Sequence, residues 1–215
     1  ITSYDYFHIE TADHSVIMAN GLLTESFLDT GNRGDFRQDG NVFSIGGSVK
    51  SWNEDAAAPL TTDRTTVEPL FRAIEARADM AGLVSQADRA VLTQDADLHL
   101  MTEDGTIIRK TRETNGYAMF MLPEKVRSVR LMSRTSRPSD VIGPFVDDRR
   151  ELGVLVGQIA LYEAGSTTVL PAHLAKEELS GWSVPEGTTM RWTAGHAAIS
   201  LPSRSSHSIA MLAVQ

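Results

Sequence analysis

The densest group of side chains able to do acid–base or metal chemistry lies close to the start of the chain. His8 and Glu10 are two residues apart, and Asp13 and His14 follow closely. If this segment is a strand, residues 8 and 10 share one face, which brings an imidazole beside a carboxylate. A metal site needs a third converging ligand at a suitable spacing, and the segment supplies none. The pattern therefore favours structural hydrogen bonding around a turn over catalysis or metal binding.

Two tryptophans near the end of the chain are the best candidates for ligand binding. Trp182 follows Gly181 in a predicted loop, and Trp192 lies in the run Met190-Arg-Trp-Thr193. Flat aromatic rings stack on the apolar face of a pyranose, while Arg and Asp side chains bind its hydroxyl groups. Core packing explains the two rings about as well. Arg191 is a further candidate, but neighbours on a strand point to opposite faces, so Arg191 and Trp192 cannot line the same surface.

A run of paired charges, Asp147-Asp-Arg-Arg150, precedes the longest predicted strand. Two carboxylates and two guanidinium groups in one loop can bind sugar hydroxyls, which makes Asp147 and Arg149 ligand-binding candidates. The same charges can pair with one another in a solvated turn, and the pattern favours this second interpretation.

The composition argues against several classes of function. The 215 residues include no cysteine, so the chain has no thiol nucleophile, disulfide or zinc–thiolate site. The formal net charge of -8 argues against nucleic acid or an anionic membrane as partner. The sequence contains no Gly-x-Ser-x-Gly elbow, phosphate loop, dinucleotide fingerprint or membrane-spanning run. We therefore expect no cofactor and no metal. The absence of cysteine fits a secreted or cell-surface bacterial protein, and a first residue of Ile1 favours a chain processed or cut from a longer one.

The elements that must position these side chains are mainly β-strands. One clear amphipathic helix is predicted over residues 67–81, with a Thr65–Glu68 capping box and Pro69 in the first turn. From residue 97 onward, short apolar segments alternate with turns, and Asp104-Gly105 is typical of a hairpin. The predicted strands are 98–101, 106–109, 117–122, 126–132, 152–162, 167–170, 189–193, 197–201 and 208–214. Such spacing without intervening helices predicts an antiparallel β-sandwich over residues 97–215.

The first 45 residues carry a recognisable pattern of their own. They contain the runs Tyr6-Phe-His-Ile-Glu-Thr-Ala-Asp-His14, Val16-Ile-Met-Ala-Asn-Gly21 and Thr24-Glu-Ser-Phe-Leu28. These resemble the last motif of a Hint (hedgehog/intein) domain, with His8, His14, Asn20 and Gly21 at its motif positions. The later runs Leu131-Met-Ser-Arg-Thr-Ser-Arg-Pro138, Asp147-Asp-Arg-Arg-Glu-Leu-Gly-Val154 and Arg191-Trp-Thr-Ala-Gly195 resemble the C-terminal extension of a bacterial Hint subgroup. The resemblance implies a Hint-like β remnant over residues 1–45, a linker and helix over 46–96, and a β-rich extension over 97–215.

The same resemblance implies that this chain is not an autoprotease by itself. Hint chemistry starts with a Cys or Ser at the beginning of the module, and that half of the motif set is absent here. Release of a downstream segment needs His-Asn, where this chain has Glu25-Ser26. We therefore expect a non-catalytic accessory region, with carbohydrate as the candidate ligand. The alternative is one piece of an autoprocessing protein whose nucleophile lies on an upstream polypeptide.

An incomplete module would leave apolar side chains uncovered. We therefore expect partial exposure of Tyr4, Phe7, Ile9, Val16 and Met18. The partners expected to cover them are an upstream Hint segment, a second polypeptide chain or another copy of this chain.

Overall fold

The structure is a computed structural model that describes residues 7–35, 49–84, 91–204 and 209–215. The chain divides into two compact units, residues 1–70 and residues 71–215. The boundaries that the resemblance implies, after residues 45 and 96, stay predictions. The observed boundary falls within helix α1, Arg64–Met80, which is the longest helix in the described part of the chain.

The first unit contains a β-hairpin of strands β1, Val16–Ala19, and β2, Leu22–Glu25. Asn20 and Gly21 join the strands with backbone φ angles of 50° and 82°. Positive φ at both central residues defines the two-residue hairpin turn that Asn-Gly favours, so the predicted turn is confirmed. A short 3-10 helix, Arg33–Asp35, follows the hairpin.

The segment that contains His8 and Glu10, considered above as a strand, is not a strand in the described residues. Residues 7–10 belong to no strand, while Tyr4 and Tyr6 lie outside the described residues. One backbone hydrogen bond holds the segment, from the Phe27 N–H to the Ile9 carbonyl at 2.7 Å. The alternation of apolar and polar residues is typical of a β-strand, but a strand also needs a hydrogen-bonded partner along its length.

Helix α1 starts earlier than its predicted capping box. The Asp63 carbonyl accepts the first helical bond from the Val67 N–H at 2.9 Å, and the Asp63 carboxylate accepts from the Thr66 hydroxyl at 3.2 Å. Thr65 therefore lies inside the helix, and Pro69 lies beyond the first turn. Aspartate just before the helix competes effectively with threonine for the capping position, which explains the shift.

The second unit is mainly β. Its strands are β3 His99–Thr102, β4 Ile107–Arg109, β5 Arg112–Thr114, β6 Tyr117–Leu122, β7 Ser128–Met132, β8 Leu155–Val156, β9 Ile159–Glu163, β10 Ser166–Val169, β11 Arg191–Trp192, β12 His196–Ser200 and β13 Ala210–Val214. Two one-turn helices, α2 Pro138–Val141 and α3 Ala172–Ala175, lie between strands. All pairings between the described strands of this unit are antiparallel, as predicted.

The strands of the second unit form three sheets. Five strands pair in the order β10-β9-β13-β6-β5, four in the order β12-β7-β3-β4, and β11 pairs with β8. One buried cluster draws on both larger sheets, with Leu100 and Leu131 from the four-stranded sheet and Phe120, Leu161 and Leu212 from the five-stranded one. Complete burial of such a side chain contributes about 1.5–3 kcal/mol.

The single strand predicted over residues 152–162 is wrong, because the segment forms two strands in different sheets. Strand β8 ends at Val156, and β9 begins at Ile159. Gly153 and Gly157, predicted to lie within a strand, both lie outside. Close packing explains Gly153: a Cβ there would collide with the Thr193 hydroxyl and lie 2.6 Å from the Ser133 hydroxyl.

Candidate functional site

Trp192 lies on a short strand that is held on both sides. It is directly opposite Leu155 on β8. On the other side, its carbonyl accepts a hydrogen bond from the Ser183 N–H at 2.9 Å. The next residue, Thr193, donates its N–H to the Val154 carbonyl at 3.0 Å and receives the Val154 N–H on its hydroxyl at 2.9 Å. These hydrogen bonds on both sides hold the backbone that carries the half-buried Trp192 ring.

A shallow groove of about 230 Å³ opens beside this ring. We call it the Trp192 groove, and it is lined by Leu155, Val184, Glu186, Gly187, Thr189, Met190, Arg191 and Trp192. Both Arg191 and Trp192 belong to this lining, so the expectation that only one of them could line a given surface is wrong. Three of its apolar side chains are exposed, namely Leu155 (42%), Met190 (51%) and Val184 (75%). Exposed apolar side chains gathered around an aromatic ring are typical of a binding surface.

The polar edge of the Trp192 groove is an ion-pair cluster centred on Arg150. Its guanidinium binds both oxygens of Asp148, with Nε to Oδ1 at 2.9 Å and a terminal nitrogen to Oδ2 at 2.6 Å, and it also pairs with Glu186. The hydrogen bonds from Arg150 lower the pKa of Asp148 to about 2, and the two carboxylates raise the pKa of Arg150. Arg150 therefore bridges Asp148 and Glu186 at the edge of the groove.

The other two residues of the charged run do not line the groove. Asp147 and Arg149 are exposed, and no hydrogen bond or ion pair joins either side chain to the described residues. Asp148 and Arg150 pair with each other, which agrees with the self-paired turn that the pattern favours.

Trp182 has a core position rather than an open face. Its side chain is only 8% exposed, its indole N–H donates to the Ala198 carbonyl at 2.9 Å, and its ring lies 4.8 Å from the ring of His173. Of the two interpretations of this ring, core packing fits these contacts. Trp192 is therefore the remaining candidate for stacking on a ligand.

Arg191 binds the protein's own backbone. Its side chain is 2% exposed, and its guanidinium donates to the carbonyls of His173 (2.9 Å), Lys176 (2.5 Å), Glu177 (2.7 Å) and Ser183 (2.5 Å). Burial lowers its pKa. These contacts position the segment that carries Trp182, so Arg191 supports the site without offering its guanidinium to a ligand.

The histidines and Glu10 singled out near the start of the chain have structural contacts within the first unit. His14 is buried, its Nδ1 accepts the Ala57 N–H at 2.9 Å, and its ring meets Trp52 edge-on at 5.6 Å. His8 packs against the Phe27 ring at 5.3 Å. Glu10 pairs with Arg33 at 2.5 Å. No group of three or more histidine, aspartate or glutamate side chains in the described residues is placed to hold a metal ion.

A second, larger cleft of about 430 Å³ lies within the first unit. Its lining is Phe7, His8, Ile9, Ile17, Ala19, Thr24, Glu25, Ser26, Phe27, Leu28, Thr30, Asn32 and Trp52. The apolar side chains of the hairpin and the segment before it contribute much of this lining.

The sequence identified Trp192 but not the charges beside it. Glu186 and Arg150 are 36 residues apart, and nothing in their local sequences indicates that they pair. Only the tertiary fold brings them together at the Trp192 groove.

No helix in the described part of the chain is long and apolar enough to cross a membrane. Comparison with protein families, with curated proteins and with solved structures found no match.

Proposed function

We propose that residues 71–215 form a β-sandwich binding module that holds a carbohydrate in the Trp192 groove. The chain would then be a non-catalytic accessory region of a secreted, Hint-containing bacterial protein. The observation that carries the proposal is the half-buried Trp192 ring, which lines an open apolar groove with a fixed carboxylate at its edge.

The chemistry of the groove suits a sugar ring. The C–H face of a pyranose is apolar and stacks on an indole, and Leu155 and Met190 extend the same apolar surface. Glu186 accepts hydrogen bonds from sugar hydroxyl groups, and its pairing with Arg150 holds it in place before a ligand arrives. A braced strand and a paired carboxylate lower the entropic cost of binding.

The two-layer architecture is the other part of this proposal. The five-stranded and four-stranded sheets contribute side chains to one buried cluster. Two antiparallel sheets that share a core in this way commonly pack face to face. A sandwich would leave the short β11-β8 pair free to form a binding edge.

The test is a titration with a panel of oligosaccharides, followed by calorimetry and tryptophan fluorescence. We expect one or more sugars to bind, and Trp192→Ala to weaken binding about tenfold or more, equivalent to about 1.4 kcal/mol. Trp52→Phe, which changes a tryptophan of the first unit, is the matched control and should leave affinity unchanged. Binding that is insensitive to Trp192→Ala, or no binding across the panel, would contradict the proposal.

A second variant tests the polar edge separately from the ring. Glu186→Gln keeps the shape of the side chain but removes its charge and its pairing with Arg150. We expect weaker sugar binding with little loss of stability, since the pair is exposed. Arg149→Gln, at an exposed residue outside the groove, should have no effect on affinity.

The alternative is that the first unit is one piece of a Hint autoprocessing protein. The observation in its favour is the exposure of Phe7 (85%), Ile9 (59%), Val16 (51%) and Met18 (72%), as an incomplete module would require. An upstream polypeptide would cover them and bring the nucleophile.

Intact masses separate these two proposals. Incubated alone with dithiothreitol, the chain should show no cleavage, because it has neither the nucleophile nor the terminal Asn. The full gene product with its upstream segment should be cleaved only if the autoprocessing alternative holds. Cleavage of the isolated chain at a defined bond, in a protease-free sample, would overturn both proposals.

A further inference from the structure

Two histidines and a methionine stand side by side across the four-stranded sheet. Met132 on β7 is directly opposite His196 on β12 and directly opposite His99 on β3. Residues directly opposite on antiparallel strands have Cβ atoms roughly 4.5–5.5 Å apart and share one face of the sheet. The three side chains therefore form a row, with the thioether between two imidazoles.

This row lies on the face of the sheet that points away from the core. The adjacent residues, Leu100, Leu131 and Ala197, form the next row and are completely buried. Side chains alternate between faces along a strand, so the row of His99, Met132 and His196 points outward. In agreement, His196 is exposed, while His99 and Met132 are half-buried.

Both imidazoles have the same hydrogen-bonding arrangement. His99 Nδ1 lies 2.6 Å from the Asp97 carbonyl, and His196 Nδ1 lies 2.9 Å from the Ala194 carbonyl. A carbonyl oxygen only accepts, so each Nδ1 carries a proton, and each ring in its neutral form presents the lone pair of Nε2. Within the described residues, neither Nε2 atom has a hydrogen-bond partner. Metal-binding histidines are oriented by such a second hydrogen bond.

A thioether between two imidazoles selects a soft metal ion. Methionine sulfur favours Cu⁺, imidazole also binds copper, and the chain has no cysteine to compete for the ion. Met101 lies on the same face, two residues from His99 and diagonal to Met132, within reach as a fourth ligand.

The charges around the row favour a monovalent ion over a divalent one. Arg130 is two residues from Met132 on the same face, and Arg109 is directly opposite His99. Asp97 pairs with Arg109 at 2.5 Å and so offsets part of this positive charge. The remaining repulsion acts on Cu⁺ with half the strength that it would have on Zn²⁺ or Cu²⁺.

We propose that His99, Met132 and His196 bind one Cu⁺ ion on the outer face of the four-stranded sheet. The site is separate from the Trp192 groove and does not depend on the function proposed for it. It requires only the register of three neighbouring strands and the two fixed imidazole tautomers.

The first test is an anaerobic titration with Cu⁺ against a chromogenic copper chelator. We expect one ion per chain, and Met132→Leu, which preserves side-chain volume, should weaken binding about tenfold or more. His196→Ala removes an exposed ligand and should act similarly. Matched controls are Met121→Leu, an exposed methionine of the five-stranded sheet, and His8→Ala in the first unit; both should bind as the parent does.

The second test is X-ray absorption of the copper-loaded protein. The spectrum should contain both nitrogen and sulfur scatterers, with the sulfur contribution reduced in Met132→Leu. Thermal melting of each variant without copper separates loss of a ligand from loss of fold. No binding, equal losses in the two controls, a copper shell without sulfur, or tighter binding of Zn²⁺ than of Cu⁺ by the same residues would overturn the proposal.

Discussion

Arg191 is a buried cation whose hydrogen-bond partners in the described chain are neutral carbonyl oxygens. Two of these carbonyls belong to His173, within the one-turn helix α3, and to Lys176, just after it; carbonyl groups in the last turn of a helix lack partners within the helix. The guanidinium satisfies them together with Glu177 and Ser183. One side chain thus replaces several backbone contacts in a segment with little regular structure.

Replacing Arg191 with methionine should therefore destabilise the second unit. The variant keeps an apolar stem but leaves four carbonyls without their donor, and each unsatisfied buried group costs about 1–3 kcal/mol. We expect the free energy of unfolding in urea to fall by about 2–4 kcal/mol, since partial solvation offsets some of the loss. Arg149→Met, at an exposed residue, should change it by less than about 0.5 kcal/mol. Equal stability of the two variants would show that Arg191 has no anchoring role.

Two glycines share a left-handed backbone conformation but differ in how closely they are packed. Alanine substitutions at the two positions therefore separate the free-energy cost of the conformation from the cost of a steric collision. Gly105 and Gly181 have φ angles of 85° and 76°. A Cβ on Gly105 would meet nothing within 4 Å, whereas on Gly181 it would collide with the backbone carbonyl of His196. Gly105→Ala should cost about 1–2 kcal/mol from the left-handed conformation alone. Gly181→Ala should lower the melting temperature clearly further, and a similar effect of both substitutions would contradict the close packing seen here.

At the scale of elements, His173 links helix α3 to the turn between β8 and β9. Its Nε2 donates to the Gly157 carbonyl at 2.6 Å, and its side chain is almost completely buried. Burial is the main cause that lowers the pKa of His173 below its usual value of 6.5, and the charge of Arg191 acts in the same direction. The folded protein therefore keeps this imidazole neutral at a pH where the unfolded chain has begun to bind a proton.

The sign of the resulting pH dependence follows from linkage. A group whose pKa is lowered by folding stabilises the fold fully above its unfolded pKa, and this contribution is lost as pH falls from there through the folded pKa. We expect the free energy of unfolding to decrease as the pH falls through and below about 6.5, the ordinary pKa of histidine. His173→Gln should reduce this decrease, while His8→Gln should not. An unchanged pH dependence in His173→Gln would contradict the inference.

Elements formed by neighbouring residues were predictable from the sequence. The turns at Asn20-Gly21 and Asp104-Gly105 place Asn20, Gly21 and Gly105 where φ is positive, and each turn joins two antiparallel strands. Strand β6 has its predicted bounds, Tyr117–Leu122, because its apolar run ends at Pro123. In these cases the decisive interactions lie within a few residues.

Elements that depend on distant partners were not predictable in the same way. The segment over residues 152–162 has a continuous apolar pattern, yet β8 pairs with β11 while β9 pairs with β10 and β13. Strand β5, Arg112–Thr114, was missed because its residues are polar and exposed and only its pairing with β6 makes it a strand. Apolar periodicity reports burial, not the choice of partner.

The candidate sites show the same difference between features set by neighbouring residues and features set by distant partners. Trp192 was identifiable as a large aromatic side chain on a short strand, but its partner Glu186 needed the tertiary fold. The row of His99, Met132 and His196 depends on the strand order β12-β7-β3, in which sequence neighbours are not neighbours in the sheet. Register between such strands leaves no periodic signal in the sequence.

At the scale of the whole molecule, an acidic chain carries a marked apolar surface on its first unit. Along the hairpin, Met18 and Leu23 are directly opposite and are 72% and 73% exposed. Leu22 and Phe7 are exposed to a similar degree. Exposed apolar side chains favour association, and the net charge of -8 opposes it through repulsion between copies.

Apolar attraction and charge repulsion therefore compete in the self-association of this chain. We expect the isolated chain to self-associate at micromolar concentrations, more strongly at high salt, because salt screens the repulsion but not the apolar contact. The double variant Met18→Lys/Leu23→Glu places opposite charges at facing positions, so it removes the apolar surface while keeping a compatible cross-strand pair. Its dissociation constant should rise about tenfold or more, which corresponds to about 1.4 kcal/mol.

Light scattering after size-exclusion chromatography measures the effect. Ile74→Lys/Val169→Glu makes the same charge change at exposed apolar residues of helix α1 and strand β10, and it should associate as the parent chain does. A parent chain that stays monomeric up to about 100 µM at high salt would contradict the prediction, since an apolar surface of this size should then associate. Equal weakening by both double variants would place the contact outside the hairpin. Loss of association in Met18→Lys/Leu23→Glu alone would place the contact on the hairpin.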